Sequence, residues 1–175
     1  ERAHAGQRCA LALAGVERDQ LARGQWLVAP EAALATDRLD LSLALWPDEA
    51  RPLKSGTRVQ VHAGSASVEG TVALLEPQQL APGAQGLAQL VLRAPIGAWH
   101  GDRVVLRDAS GSRTIAGGTV LDPFAPVRYR RTPQRLAELT ALQLPDAAAR
   151  RAALIDCAPH GVDLARLARA QGHAQ

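Results

Sequence analysis

Leucine occupies every second position from Leu39 to Leu45, with Asp40, Ser42 and Ala44 between. A period of two marks a half-buried β-strand, leucines inward and the interleaved residues outward. A looser version of the pattern predicts strands over Thr57–Ala63 and Ala66–Leu75, joined tightly by Gly64-Ser65, and over Leu87–Arg93. The turn-rich stretch Pro47–Gly56 and the Pro/Gly/Gln-rich excursion Glu76–Gly86 separate them. Arg103–Arg107, with Val104 and Leu106 on one face, and Thr114–Leu121 flank a polar loop, Asp108–Ser112, in which Gly111 can take a positive φ. They read as a β-hairpin. Glycine weakens a strand interior, so Gly117-Gly118 predicts a bulge or a close backbone approach; a bulge closing the barrel is the expectation. Short strands at this spacing, with no helical period between them, indicate a closed antiparallel barrel or sandwich.

The period changes after Pro123. Thr132-Pro133 offers an N-cap and an N1 proline, and Leu136, Leu139 and Leu142 follow at helical spacing. Pro145-Asp146 starts a second helix carrying Ala149, Ala152, Ala153 and Ile155. Gly161 precedes a third, with Leu164, Leu167 and Ala168 on one face. Three short helices around a Gly-containing turn resemble the front of a helix-turn-helix or winged-helix module. At the other end, Arg8–Leu13 and Gln25–Ala29 read as two short strands joined by a polar connection, with Pro30–Ala35 as a linker.

Composition narrows the functional classes. No apolar run approaches the length of a membrane span, and no secretory signal opens the chain. The net charge is only +3, and Lys54 is the one lysine among 20 basic residues. Arginine bias of that kind inflates any basic count, so arginine number alone is a poor index of nucleic-acid binding. The chain has no methionine, which suggests a piece of a longer protein whose catalytic part lies elsewhere. Cys9 and Cys157 lack metal spacing and are expected as small core residues in a reducing compartment. His4, His62, His100, His160 and His173 form no metal-binding pattern. Trp26, Trp46 and Trp99 fall at strand ends or turns, as aromatic caps on the barrel core do. No nucleophile–base arrangement and no carboxylate pair suited to acid–base chemistry is visible; Asp37 and Asp40 only open a strand.

Three passages carry a family resemblance. The run GQRCALALAGVERDQLARGQWLV resembles the end of the second domain of elongation factor Tu-like GTPases. Pro52-Leu-Lys-Ser-Gly56, Val61-His62-Ala-Gly64 and Gly70-Thr-Val72 resemble the opening of their third domain. Gly101-Asp-Arg103, Leu106-Arg107 and Thr114-Ile-Ala-Gly-Gly118 are similar to the third-domain signature. The VLDP that follows, and then helices, resemble the bacterial selenocysteine-specific elongation factors, since elongation factor Tu ends at its third domain.

The resemblance implies a mainly β fold: an elongation factor Tu-like antiparallel β-barrel followed by a small winged-helix-like piece. Residues 1–30 would close barrel domain II, residues 31–124 would form barrel domain III, and residues 125–175 would begin a winged helix. The whole protein would be a cytoplasmic bacterial GTPase that delivers selenocysteinyl-tRNA to the ribosome for UGA recoding. Further winged helices would hold a hairpin of the selenoprotein mRNA; no membrane is involved. GTP and Mg would belong to the parent protein. This segment lacks the G-x-x-x-x-G-K-[ST] phosphate loop, so no cofactor and no catalysis are expected in it. One family position carries over: Arg8 would line the selenocysteinyl pocket, where a guanidinium favours an ionised selenol.

Two arginine groups are candidate RNA contacts. Arg128, Arg130, Arg131 and Arg135, with Tyr129 interleaved, form the densest basic cluster, suited to phosphates and a stacked base. A solvated connector explains it equally well. Arg103, Arg107 and Arg113 on the hairpin suit a tRNA stem, or else pair with Asp102 or Asp108. The alternatives for the whole are the barrel of another translational GTPase, or a protein-docking barrel without RNA specificity. A free-standing barrel enzyme would need a polar pocket with titrating groups, and no candidates for one are present.

Overall fold

The structure is a computed structural model that describes residues 2–172. Among them eight strands form: β1 (Thr36–Leu45), β2 (Leu53–Lys54), β3 (Arg58–Ala63), β4 (Ala66–Glu76), β5 (Gln79–Leu80), β6 (Gln85–Ile96), β7 (Arg103–Arg107) and β8 (Thr114–Asp122). Three helices follow: α1 (Pro133–Leu142), α2 (Ala147–Asp156) and α3 (Leu164–Ala170). The barrel closes in the order β1-β6-β4-β3-β7-β8, antiparallel throughout, while β2 and β5 make a separate two-stranded ribbon. The excursion Glu76–Gly86 therefore holds a short strand, and the strand expected at Leu87–Arg93 is longer, Gln85–Ile96.

The alternating leucines of β1 point inward, meeting Val59, Val61, Val72, Leu74, Leu90, Leu106 and Val120 in one closed core. Closure leaves no long edge strand exposed. The outward face of β1 departs from expectation: Asp40 and Ser42 are buried as well. A second apolar cluster lies outside the barrel, where Leu75, Leu87 and Leu121 meet Leu139, Ala141, Leu142 and Leu154 of the helices. The period of two reported which side faced the barrel axis. It could not report that helices would cover the other side.

Register irregularities build this second layer. β4 pairs Leu74 with Ala88 but Glu76 with Leu87, so Leu75 is the extra residue. β8 pairs Val120 with Leu41 but Asp122 with Asp40, so Leu121 is extra. A bulge re-aims a side chain, and both bulged leucines join the outer cluster. The glycine pair is not bulged: Gly117 and Gly118 hold regular register with Val105 and Val104, and the bulge between β7 and β8 falls at Ile115. What Gly118 provides is a close approach, since a Cβ there would lie 2.4 Å from the Ser42 carbonyl oxygen.

The first two helices begin as predicted, and the third begins two residues after Gly161, at an Asp163 cap. Thr132 accepts the Arg135 amide and Asp146 that of Ala149, while Asp163 accepts that of Arg166. Each cap satisfies an amide that has no partner within its own helix. The faces differ in part, since Leu154 rather than Ile155 enters the core and Leu164 is exposed.

The strands expected at Arg8–Leu13 and Gln25–Ala29 are not formed; residues 2–28 make turns and one short 3-10 turn, Arg18–Gln20. Cys9 is exposed on this segment and not a core residue, whereas Cys157 is half-buried against the outer cluster. Trp26 docks the segment, lying edge-to-face on Trp99 at 5.6 Å between centroids. Trp46 stays exposed. His173 lies outside the described residues.

Candidate nucleic-acid interface

The outer cluster covers β1, β6, β8 and the end of β4, and the N-terminal segment lies against the β3–β4 turn at Gly64 and Ala66, leaving the outward side chains of β3 and β7 in view. Alternation turns Arg58, Gln60 and His62 of β3 outward, and likewise Arg103, Val105 and Arg107 of β7. Register sets Gln60 beside Arg107 and His62 beside Val105. On the other flank Gln60 faces Glu69 and Arg58 faces Thr71. A shallow notch of about 150 Å³ sits here, lined by Arg58, Gln60, Glu69, Thr71, Arg93 and Ala109. Arg58, Arg93, Arg103 and Arg107 thus share one sector of the barrel, in which the Asp108 loop closes the β7 end and Glu69 lies 4.0 Å from Arg93. That pair is largely exposed, so it neutralises little.

Arg107 donates from Nη2 to the Ser112 carbonyl at 3.1 Å, while its buried Nε has no partner among the described residues. Arg113, the third hairpin candidate, is engaged elsewhere. It makes two hydrogen bonds to Glu49, one of them 3.1 Å, and lies 3.8 Å from Asp108. The loop is organised by Asp108, which accepts from the Ser112 hydroxyl and amide, each at 2.7 Å, and from Ser110. Chiefly through the Ser112 hydroxyl, these donors pull the Asp108 carboxyl down to about 2.

The cluster after Val127 divides. Arg128 and Tyr129 face solvent, Tyr129 being 80% exposed with φ of 59°. The others turn onto the barrel. Arg130 donates to Gln89 Oε1 at 3.2 Å, and Arg131 gives two bonds to the Leu74 carbonyl.

Arg135 is buried, which withdraws it from any RNA surface. Its Nη2 lies 2.7 Å from both Asp40 and Asp122, its Nε donates to Asp40, and its Nη1 donates to Glu138. Gln89 completes the joint, giving its amide to Asp40 Oδ1 at 2.8 Å and to the Pro126 carbonyl at 3.0 Å. Burial works against the Arg135 charge, but the fields of Asp122 and Asp40 and their hydrogen bonds outweigh it and hold the guanidinium firmly protonated. Linear density of arginine gives no direction, so the sequence could not separate buried Arg135 from its exposed and half-buried neighbours.

Arg8 lies exposed on the N-terminal segment, apart from both groups. Among the described residues no three His, Cys, Asp or Glu side chains converge on a metal-sized site. No described helix is long and apolar enough to cross a membrane. Alternation, applied to Arg58 and Arg93 as it was to Arg103 and Arg107, would have added both to the candidate face.

The match to known families follows this architecture. The profile of the selenocysteine-specific elongation factor β-barrel domain fits residues 36–127, from β1 to just beyond β8. The chain belongs to the selenocysteine-specific elongation factor family. A selenocysteine-specific elongation factor of Haemophilus influenzae is 34% identical over 155 residues, covering 88% of this chain and 24% of that protein. The Escherichia coli K12 protein of the same description is 36% identical over 143 residues, 81% of this chain and 21% of its own length. That of Desulfomicrobium baculatum is 30% identical over 142 residues, with 81% and 22% covered. The chain therefore spans under a quarter of the length of these relatives.

In this elongation-factor barrel the VLDP passage has a physical meaning. Asp122 ends β8, turns the chain by accepting the Phe124 amide at 2.8 Å, and offers its other oxygen to Arg135 and Arg166.

Proposed function

We propose that the β3–β7 face is the RNA-facing surface of a factor that delivers selenocysteinyl-tRNA to the ribosome for UGA recoding. The observation that carries this reading is the sector itself: four outward arginines on the side of the barrel that the helices leave free, where Glu69 is largely exposed and Asp108 is taken up by its own loop. A helical RNA backbone presents a regular row of phosphates, and recognition of such a helix works through shape and phosphate contact. The notch between Arg58 and Arg93, with the Thr71 hydroxyl between their strands, suits one phosphate. Arg107 and Arg103 extend the track along β7.

On this reading Arg8 belongs to the selenocysteinyl pocket, with residues 1–30 completing barrel domain II and residues 125–175 opening a winged-helix region. Arg128 and Tyr129 remain available as outlying RNA contacts. GTP and Mg act in another part of the parent protein, the mRNA hairpin binds further winged helices, and the cytoplasm is the site of action. The segment carries out no catalysis of its own.

The test is a salt titration of tRNA binding to this chain. Each phosphate contact released lowers the slope of log K against log salt by about 0.7–0.9. Arg58→Gln with Arg93→Gln should flatten the slope by about that amount, and Arg107→Gln should flatten it further. Arg113→Gln, already tied to Glu49, should leave it unchanged. A slope that is equal in all four proteins would refute the assignment of the face. A wild-type chain without salt-dependent binding would refute the reading as a whole.

A further inference from the structure

Five arginines of the C-terminal part, Arg130, Arg131, Arg135, Arg166 and Arg169, donate to the barrel or to the chain just before and after it. Arg130 reaches Gln89, Arg131 reaches the Leu74 carbonyl, and Arg135 reaches Asp40 and Asp122. From α3, Arg166 donates to the Phe124 carbonyl at 2.8 Å and lies 3.4 Å from Asp122. Arg169 gives two bonds to the Ala33 carbonyl, one of them 2.6 Å. Both guanidinium groups also lie over the Phe124 ring, at 5.2 and 6.0 Å from its centroid. The C-terminal end of α3 is tied as well, since its Ala170 carbonyl accepts the His100 amide at 2.7 Å.

The apolar contact beneath these bonds is incomplete. A cleft of about 390 Å³ runs between barrel and helices, walled by Leu121, Leu142, Leu154 and Leu167, with Arg135 and Arg166 at its polar edge. Apolar packing is tightest along α1, through Leu139, Ala141 and Leu142, and thinner along α2 and α3, where Leu154 and Ala170 are the buried residues. Burial is non-directional, whereas charge-assisted bonds from a planar guanidinium fix angle as well as distance. The orientation of α3 therefore rests on its arginines, together with the His100–Ala170 bond.

In three-helix DNA-reading modules the last helix carries the side chains that enter a groove. Here the arginines of that helix are committed within the molecule. We infer that α3 is a docking helix: Arg166 and Arg169 latch it to the barrel, so that barrel and helices form one rigid body and α3 reads no nucleic acid. The inference is independent of whether the β3–β7 face binds RNA.

The test is residual dipolar coupling of backbone amides in the whole chain, wild type against Arg166→Gln/Arg169→Gln. This pair of changes is exposed and leaves the buried bonds of Arg135 with Asp40 in place, so the barrel stays folded and its own couplings serve as the internal standard. The wild type should fit a single alignment tensor from β1 to α3. The double variant should need a second tensor for α3 while the barrel amides keep their shifts. Two tensors in the wild type, or one in the variant, would overturn the latch. A lower tRNA salt slope in the same variant would overturn the exclusion of α3 from RNA contact.

Discussion

Two adjacent glycines allow a sharp test of how the barrel closes. Gly117 and Gly118 both lie in β8 with ordinary extended backbone, so any difference between their alanine variants is steric. At Gly118 a Cβ would lie 2.4 Å from the Ser42 carbonyl oxygen, 3.2 Å from Leu41 Cδ1 and 3.3 Å from Leu43 Cα. A carbon normally approaches a carbonyl oxygen no closer than about 3.3 Å, so β1 must retreat by roughly 1 Å. The obstacle is backbone, which no rotamer change can relieve. Overpacking of this kind costs about 1–3 kcal/mol. Separating β1 from β8 also weakens the ladder at Leu43 and its neighbours, at about 0.5–1.5 kcal/mol per bond. Gly118→Ala should therefore destabilise by about 3 kcal/mol. At Gly117 the nearest atom is the Val104 carbonyl oxygen at 3.6 Å, an ordinary contact. Gly117→Ala should be neutral, or stabilise by about 0.4–1 kcal/mol through a less disordered unfolded chain. In thermal unfolding followed by circular dichroism, Gly118→Ala should lower Tm by about 6–12 °C, at 2–4 °C per kcal/mol for this chain length. Gly117→Ala should leave Tm unchanged or raised. Equal losses for the two variants would refute close approach as the reason for the glycine pair.

Other outcomes follow from the joint and the loop. Removing one partner of a buried ion pair strands the other charge, so Arg135→Ala should cost about 3–5 kcal/mol in urea unfolding; replacing Arg135, Asp40 and Asp122 together with apolar residues should recover much of it. The Asp108 carboxyl sits at about 2, below its unfolded value near 3.9. A lowered carboxylate stabilises above the unfolded value and loses that contribution as pH falls through the folded one. The hairpin loop should thus loosen between about pH 4 and 2, seen as movement of the Ser112 amide resonance centred near 2; a midpoint near 4 would show that the loop bonds do not hold in solution. Burial raises the Cys157 thiol above its usual range, so a thiol reagent at mildly alkaline pH should modify exposed Cys9 well before Cys157.

The barrel was legible because its strands alternate cleanly, and leucines spaced by two have one way to be buried together. The outer layer was not. Asp40 occupies a polar position in that alternation, and only Arg135, 95 residues later, makes it an interior residue. Leu75 and Leu121 break the period through bulges, which residue type alone does not announce. The N-terminal segment failed for another reason: its alternation is adequate, but a strand needs a neighbour to bond with, and among the described residues no strand pairs with residues 8–13. Of the candidate face, Arg103 and Arg107 were visible on the hairpin. Arg130, Arg131 and Arg135 donate to the barrel, a direction that proximity in sequence does not report.

The joint at Asp122 has a consequence for how the molecule comes apart. One strand, β8, serves both as a stave of the barrel and as the anchorage of the helices, and Asp40 on its neighbour β1 shares the load. Fraying of the β1–β8 seam would remove both carboxylates from Arg135 at once. The helices cannot outlast that seam, so proteolysis should find no stage at which an intact helical module hangs from an opened barrel.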